Sequence, residues 1–289
     1  MVKKAVIPAA GYGTRFLPAT KTVPKELFPV IDTPTIQFIV EEAINAGIKE
    51  ILIITSASKN AIIDHFDKNY ELEHILKEKN KDVELKIVEH VSNLANVHFI
   101  RQKEQLGLGH AILHARAFVG DEPFAVLLGD DLYMGKVPAI KELIDEYNKY
   151  QSTIVGTLEV NPSETKKYGI CDPEKAMDSK TYKLRGVVEK PDPSVAPSLS
   201  AIGGRYILTP KIFELLATQR KGVGGEIQLT DGILNLMNYE SVYSHDIEAR
   251  RYDIGSRIGY IEAMIDFGLS RDDLKEQVKS LLKKKVQSL

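Results

Sequence analysis

The residues best suited to chemistry stand near the start of the chain, in the run Ala9-Ala10-Gly11-Tyr12-Gly13-Thr14-Arg15 that continues to Pro24-Lys25-Glu26. Small residues leave the backbone uncovered, so the amides of Ala9 to Thr14 can approach an anion closely, and Gly11 and Gly13 permit tight bending. Arg15 and Lys25 add the positive charge that a triphosphate requires. Two familiar phosphate loops are excluded. A dinucleotide fingerprint would need a third glycine where Phe16 stands, and a P-loop needs a Gly-Lys-Ser/Thr ending that is missing here.

Carboxylates follow. Gly129-Asp130-Asp131 lies directly after the apolar run Phe124 to Leu128, so its side chains project at the C-terminal edge of a strand, where open α/β sheets bind ligands. Magnesium favours one or two carboxylates plus phosphate oxygens, which makes Asp130 a candidate metal anchor. Asp253 in Arg251-Tyr252-Asp253-Ile254-Gly255 is the second. Val188-Glu189-Lys190-Pro191 ends another strand with an acid beside a cation. Strand neighbours point to opposite faces, so the pattern predicts separate tasks for Glu189 and Lys190, a sugar hydroxyl and a phosphate, rather than an ion pair. The seven histidines are scattered. His110 and His114, four apart on a helix, are expected to pack or cap rather than bind zinc, and no Gly-x-Ser-x-Gly nucleophile motif is present.

These groups need a frame. Ala5 to Ala9 reads as a buried strand, Thr33-Pro34 opens a helix that runs to Ala46 with Gly47 past its end, and Ile51 to Thr55 is a second buried strand. Strand, helix, strand implies a right-handed crossover and a parallel sheet. Residues 57–96 have helical spacing, with Phe66, Leu72, Ile75 and Leu76 as the apolar stripe. Val97 to Arg101, Phe124 to Leu128 and Ser152 to Val160 are further strands; His110 to Phe118 and Ala139 to Tyr150 are helices. Beyond Pro162 this alternation is lost, and turns at Asp172-Pro173 and Asp192-Pro193 suggest an extension of the same sheet rather than an independent domain. Residues 258–286 carry helical spacing, expected to pack on their own chain.

With 289 residues, 43% hydrophobic and 27% charged, the composition is that of a globular enzyme with ample core. A net charge of -2 argues against nucleic acid as a partner. The single cysteine, Cys171, excludes an internal disulfide and a cysteine-rich zinc site, and its apolar surroundings predict an inert buried thiol. No apolar run approaches a membrane span and Met-Val-Lys-Lys is not a secretory leader, so a cytoplasmic protein without membrane contacts is expected.

Taken together, the stretch from Pro8 to Gly47, Arg101-Gln102-Lys103-Glu104, Gly107-Leu108-Gly109-His110-Ala111 and Gly225-Glu226-Ile227-Gln228-Leu229-Thr230-Asp231 resemble the bacterial UTP–glucose-1-phosphate uridylyltransferases, a group of sugar-phosphate nucleotidyltransferases. The resemblance runs essentially end to end. It implies a Rossmann-like three-layer α/β/α sandwich with a mostly parallel mixed central sheet and a sugar-binding extension. One nucleotidyltransferase domain would fill 1–289, with a nucleotide part at 1–160, a sugar-phosphate part at 161–256 and a helical segment at 257–289. The implied activity joins UTP and glucose 1-phosphate into UDP-glucose and pyrophosphate with Mg2+ as cofactor, in a homo-oligomer, a dimer or tetramer. By the same resemblance Ala9, Ala10, Gly11, Gly13, Thr14, Gln102 and Gly107 would hold the nucleotide, and Arg15, Lys25 and Lys190 would act on the phosphates. Gly169, Glu189 and Gly204 would line the sugar site, and Asp130 and Asp253 would bind the metal. The chain departs from the usual pattern at Tyr12, at Leu27-Phe28 and at Gln105-Leu106, where a lysine is lost beside the base pocket. Such departures suit a secondary paralogue that remains active. The same chemistry on dTTP or another hexose 1-phosphate, or a non-catalytic regulatory homologue, are the competing readings.

Overall fold

Strands that are buried on both faces need apolar residues at successive positions, and the first strand supplies them: Ala5, Val6 and Ile7 have no solvent exposure. A computed structural model describes residues 2–288. In it β1 (Lys4–Pro8) leads into three single-turn 3-10 segments, the small hairpin of β2 (Pro29–Val30) and β3 (Thr33–Pro34), and α1 (Thr35–Asn45). β4 (Glu50–Thr55), α2 (Asn60–Phe66), α3 (Tyr70–Glu78), α4 (Asp82–Ser92) and β5 (Asn96–Arg101) follow. Next come α5 (Leu108–Leu113), α6 (Arg116–Val119), β6 (Phe124–Leu127), β7 (Asp131–Met134), α7 (Ala139–Tyr150) and β8 (Ile154–Glu159). The second half holds β9 (Gly169–Ala176), β10 (Thr181–Glu189), β11 (Ser200–Leu208), α8 (Lys211–Thr218), α9 (Leu229–Leu236), β12 (Tyr243–Asp246), β13 (Arg250–Asp253), α10 (Arg257–Ser270) and α11 (Lys275–Val286).

One nine-stranded sheet runs through both halves in the order β5-β4-β1-β6-β11-β8-β12-β10-β9. Side chains alternate between its faces. Ala5, Ile7, Ile51 and Ile53 meet α1 and α7 in one core, while Val6, Leu52, Ile54 and Val126 meet α5, α8 and α9 in the other. The result is a three-layer α/β/α sandwich with a mixed sheet. Parallel pairing joins β5, β4, β1 and β6, and again β8 and β12. The other pairings are antiparallel, as for β11 with β6 and β8 and for β10 with β9 and β12. In the second half a short turn joins β9 to β10, whereas α8 and α9 carry the chain from β11 to β12.

α1 begins one residue after Pro34 and is stopped by Gly47, whose φ of +91° is the left-handed geometry of a C-terminal cap. α7 has the bounds its pattern predicts, but its cap is Gln151 at φ +50° rather than a glycine. The helical region 57–96 is three helices. Phe66 and Leu76 are buried as expected, whereas Leu72 and Ile75 are exposed. Cys171 is buried within β9, and burial raises its thiol pKa far above the ordinary range, consistent with an inert group. The terminal stretch is two helices, α10 packing on α11 through Gly268 and Val278, with Ile258, Ile261, Leu281 and Val286 left exposed. Among the described residues no helix is long and apolar enough to cross a membrane.

Candidate active site

The glycine-rich loop leaves β1 at its C-terminal end, as parallel-sheet geometry requires of a ligand loop. The Ala9 amide continues the sheet by donating to the Ile54 carbonyl at 2.7 Å. Gly13 stands at φ +65°, and Thr20 Oγ1 donates to its carbonyl at 2.8 Å, folding the loop back on itself. Beneath it lies a buried ion pair. Lys59 Nζ is 2.7 Å from the Ala9 carbonyl and 2.7 Å and 2.9 Å from the two carboxylate oxygens of Glu26. This ties the first residue of the loop to the turn that carries Lys25.

Lys25 Nζ reaches Asp130 Oδ2 at 2.8 Å, so the sequence's leading cation and leading carboxylate meet. Burial acts to lower the Lys25 pKa, yet Asp130 and Glu26 outweigh it and the ammonium is held above its ordinary value. For Asp130, burial acts to raise the pKa and Lys25 overrides it, so the carboxylate stays ionised. Asp253 ends β13, which pairs with β7 so that Asp253 stands opposite Asp131. A Cβ on Gly255 would lie 2.9 Å from Asp130 Oδ2 and 3.1 Å from Asp253 Oδ1, so the two carboxylates converge on one small space. Among the described residues no group of three or more His, Cys, Asp or Glu is poised to enclose a metal by itself. Two converging carboxylates open to the glycine-rich loop fit the donor set of magnesium, which takes one or two carboxylates and keeps other positions for phosphate and water. Arg15 extends over this space, with Nη1 3.4 Å from the Gly255 carbonyl.

Asp131 does different work. Arg251 Nε lies 2.6 Å from its Oδ1, and Arg251 Nη1 lies 3.2 Å from the Tyr168 hydroxyl. Burial, with Asp130 and Asp253 nearby, pushes the Asp131 carboxyl up to about 6 against the pull of Arg251 and Arg205. Gly204, at φ +77°, packs directly on the Asp131 carboxylate, and any side chain there would collide with it.

On the sugar side, Gly169 and Glu189 are register partners in the β9–β10 ladder. Thr230 Oγ1 donates to Glu189 Oε2 at 2.7 Å, from the first turn of α9. The expectation that Glu189 and Lys190 act apart is corrected by the structure: Lys190 Nζ lies 2.7 Å from Glu189 Oε1. The strand ends at Glu189, and Lys190 turns to φ +47°, which breaks the alternation and swings its side chain to the Glu189 face. A left-handed lysine is a strained conformation of the kind that collects at working sites.

Behind the loop is a cleft of about 610 Å³ lined by the Ala10–Thr14 loop, Gln102, Gly107 and Glu226. Gly107, at φ +104°, allows residues 226–227 to pass so close that a Cβ would stand 2.7 Å from Glu226 Cβ. The Ile227 amide donates to the Leu106 carbonyl and the Gly109 amide to the Ile227 carbonyl, both at 2.8 Å. Gln105, beside Leu106 where the lysine is lost, donates to the Ala10 carbonyl at 2.7 Å. A second cleft of about 370 Å³, lined by Lys167, Tyr168, Arg251 and Asp253, adjoins the first at Leu128 and Asp130.

The structure thus gathers Arg15, Lys25, Asp130 and Asp253 around one point, with Gln102 and Gly107 on one side and Gly169, Glu189 and Lys190 clustered in the second half. Sequence reasoning missed Lys59, Arg251, Tyr168 and Thr230. Arg251 and Thr230 lie inside motifs already singled out, and that adjacency was the available signal.

The nucleotidyl transferase family model matches residues 4–268. UTP–glucose-1-phosphate uridylyltransferase 2 of Staphylococcus saprophyticus is 52% identical over 283 residues, 98% of each chain. UTP–glucose-1-phosphate uridylyltransferase of Bacillus subtilis is 51% identical over 277 residues, 96% of this chain and 94% of the relative. Among solved structures, a UDP-glucose pyrophosphorylase complexed with UDP-glucose superposes with a TM-score of 0.86 at 42% identity, covering 94% of this chain and 100% of that one. A UTP-bound UGPase from Acinetobacter baumannii gives 0.89 at 38% identity, covering 98% and 99%.

Proposed function

The chain belongs to the nucleotidyl transferase family, and from that premise we propose that it transfers UMP from UTP to glucose 1-phosphate, giving UDP-glucose and pyrophosphate. The observation that carries this reading is the meeting of two clefts at Asp130, one lined by the glycine-rich loop and one by Lys167, Tyr168 and Arg251. Two polyanions brought together there repel each other, and the residues around Asp130 answer that repulsion. In this reading the base lies against Ala9, Ala10, Gly11, Gln102 and Gly107, and the triphosphate follows Gly13 and Thr14 to Arg15 and Lys25. Glu189 and the Gly169 backbone accept and donate to glucose hydroxyls, Gly204 shapes the floor through Asp131, and Lys190 holds the sugar phosphate. A phosphate oxygen of glucose 1-phosphate attacks the α-phosphorus in line, and the bond from that phosphorus to the bridging oxygen of the β-phosphate breaks. The nucleophile is already ionised at neutral pH, so no general base is needed; catalysis is positioning and charge stabilisation. Asp130 and Asp253 would hold magnesium, which would neutralise part of the phosphate charge. Arg15 stabilises the departing pyrophosphate.

The reading extends to a cytoplasmic homo-oligomer, supported by a lone buried cysteine and by the exposed apolar residues on α10 and α11. The test is pyrophosphate release with UTP, glucose 1-phosphate and magnesium, with dTTP and galactose 1-phosphate run in parallel. Fast metal-dependent release with the first pair is expected. Folded protein that binds UDP-glucose but releases nothing with any pair would replace this reading with a regulatory homologue.

A further inference from the structure

Gln102 follows directly on β5 and is only 6% exposed. Its backbone N–H donates to the Thr55 carbonyl at 2.9 Å, so its side chain is what remains to face the base cleft it lines. A primary amide is ambivalent: turned one way it presents an acceptor, turned the other way a donor. Nothing about Gln102 itself decides between them. The partner that does is His110 on α5, whose Nδ1 lies 2.9 Å from Gln102 Nε2.

We propose that His110 is a positioning residue for base selection: by accepting from Gln102 Nε2 it fixes Oε1 toward the cleft, where Oε1 accepts from N3–H of uracil and repels the N3 lone pair of cytosine. The inference rests on the placement of the base against Gln102 given above. A ring that accepts at Nδ1 must be neutral, with its proton on Nε2. Burial, then the neighbouring His114, draws the His110 pKa below its ordinary value, which favours that state. His114 is itself fixed: its Nδ1 donates to the His110 carbonyl at 2.9 Å, and the two rings meet edge to face at 4.6 Å. The ring that orients the amide is therefore braced from the next turn of the same segment. A protonated His110 would donate instead, turn the amide over and present a donor to the base.

The experiment measures kcat/KM for UTP and for CTP at saturating glucose 1-phosphate. The chains compared are the unaltered protein, His110→Phe, His110→Leu, His110→Asn and Gln102→Leu, each first shown folded by thermal melting. His110→Phe and His110→Leu cannot accept, and each should lower the UTP-over-CTP preference about tenfold, the discrimination available from one hydrogen bond of ordinary strength. The KM for glucose 1-phosphate should stay as it was. His110→Asn, which keeps a short acceptor, should restore most of the preference. Equal losses with both nucleotides, or an unchanged preference in the folded non-acceptor variant, would overturn the inference. If Gln102→Leu shifts the preference and the His110 variants do not, only the role of His110 fails. If Gln102→Leu also leaves it unchanged, the base does not lie at Gln102 and the placement fails with it.

Discussion

Gly255→Ala tests the convergence of Asp130 and Asp253 without touching either carboxylate. Gly255 does not occupy the left-handed region, so alanine is compatible with its backbone, and its amide can still donate to Asp253 Oδ1 at 3.1 Å. The added methyl, however, would stand 2.9 Å from Asp130 Oδ2 and 3.1 Å from Asp253 Oδ1, closer than a carbon–oxygen contact tolerates. Both carboxylates end short side chains, so they yield by several tenths of an ångström rather than unfold the protein. Replacing glycine at a compatible site stabilises by about 0.4–1 kcal/mol through the unfolded chain, which offsets most of that repulsion. Stability should therefore change by no more than about 1 kcal/mol. Function should not be spared. A displacement of about 1 Å in a reacting constellation costs about a hundredfold, so a fraction of that, applied to both carboxylates, should lower turnover roughly ten- to a hundredfold. The magnesium concentration for half-maximal rate should rise with it. The assay is pyrophosphate release over a magnesium titration, beside thermal melting of the same samples. Unchanged turnover with an unchanged magnesium midpoint would refute the view that this space is where the two carboxylates act.

Lys190→Ala should reduce pyrophosphate release by roughly 10²–10³-fold, the usual cost of deleting a group that stabilises developing charge. Its melting temperature should stay within a few degrees of the unaltered protein. Lys59→Met leaves Glu26 buried without its partner, and urea denaturation should show a loss of about 3–5 kcal/mol. Adding Glu26→Gln to that variant should recover part of the loss, since it removes the stranded charge. The Glu50 carboxyl, which accepts from Asn96 Nδ2 at 2.9 Å and His98 Nε2 at 2.8 Å, is held below its ordinary value by those two bonds, Asn96 first. A depressed folded-state pKa stabilises above the unfolded value and the benefit is lost as pH falls through the folded one. The melting-temperature gap between the unaltered protein and Glu50→Gln should therefore be present near pH 6 and close below about pH 4.

What the sequence disclosed was whatever local pattern determines. The apolar run Phe124 to Leu128 announces a buried strand, and a strand that stops at Gly129 puts Asp130 at its working edge, so position and role could be read together. The same holds for α7, whose apolar spacing ends where the helix ends. Lys190 shows the limit. Its alternation from Glu189 follows only if the strand continues, and the turn to φ +47° depends on a packing that the tetrapeptide does not encode. Leu72 and Ile75 sit on the apolar stripe of a helix packed chiefly on α4, and that stripe is wider than the surface that covers it. Arg205, wholly buried and paired with Glu42 at 2.7 Å, is out of reach of any spacing argument, because 163 positions separate the two. Lys59 and His110 belong to the same kind. Each acts on a residue that the motifs had named, through a contact that exists only after folding.

The docking of residues 226–227 on the Gly107 turn has a consequence for the order in which the protein comes into being. A wall of the base cleft is drawn from residue 226, and one of the two converging carboxylates from residue 253, in a chain of 289. Most of the cleft around the loop is drawn from residues up to 130, and Glu226 is the one lining residue that comes later. The cleft therefore lacks one wall, and the carboxylate pair one member, until residues 226 and 253 are in place. Turnover, which needs both carboxylates, thus reports the docking of the later segment more directly than binding to the loop does.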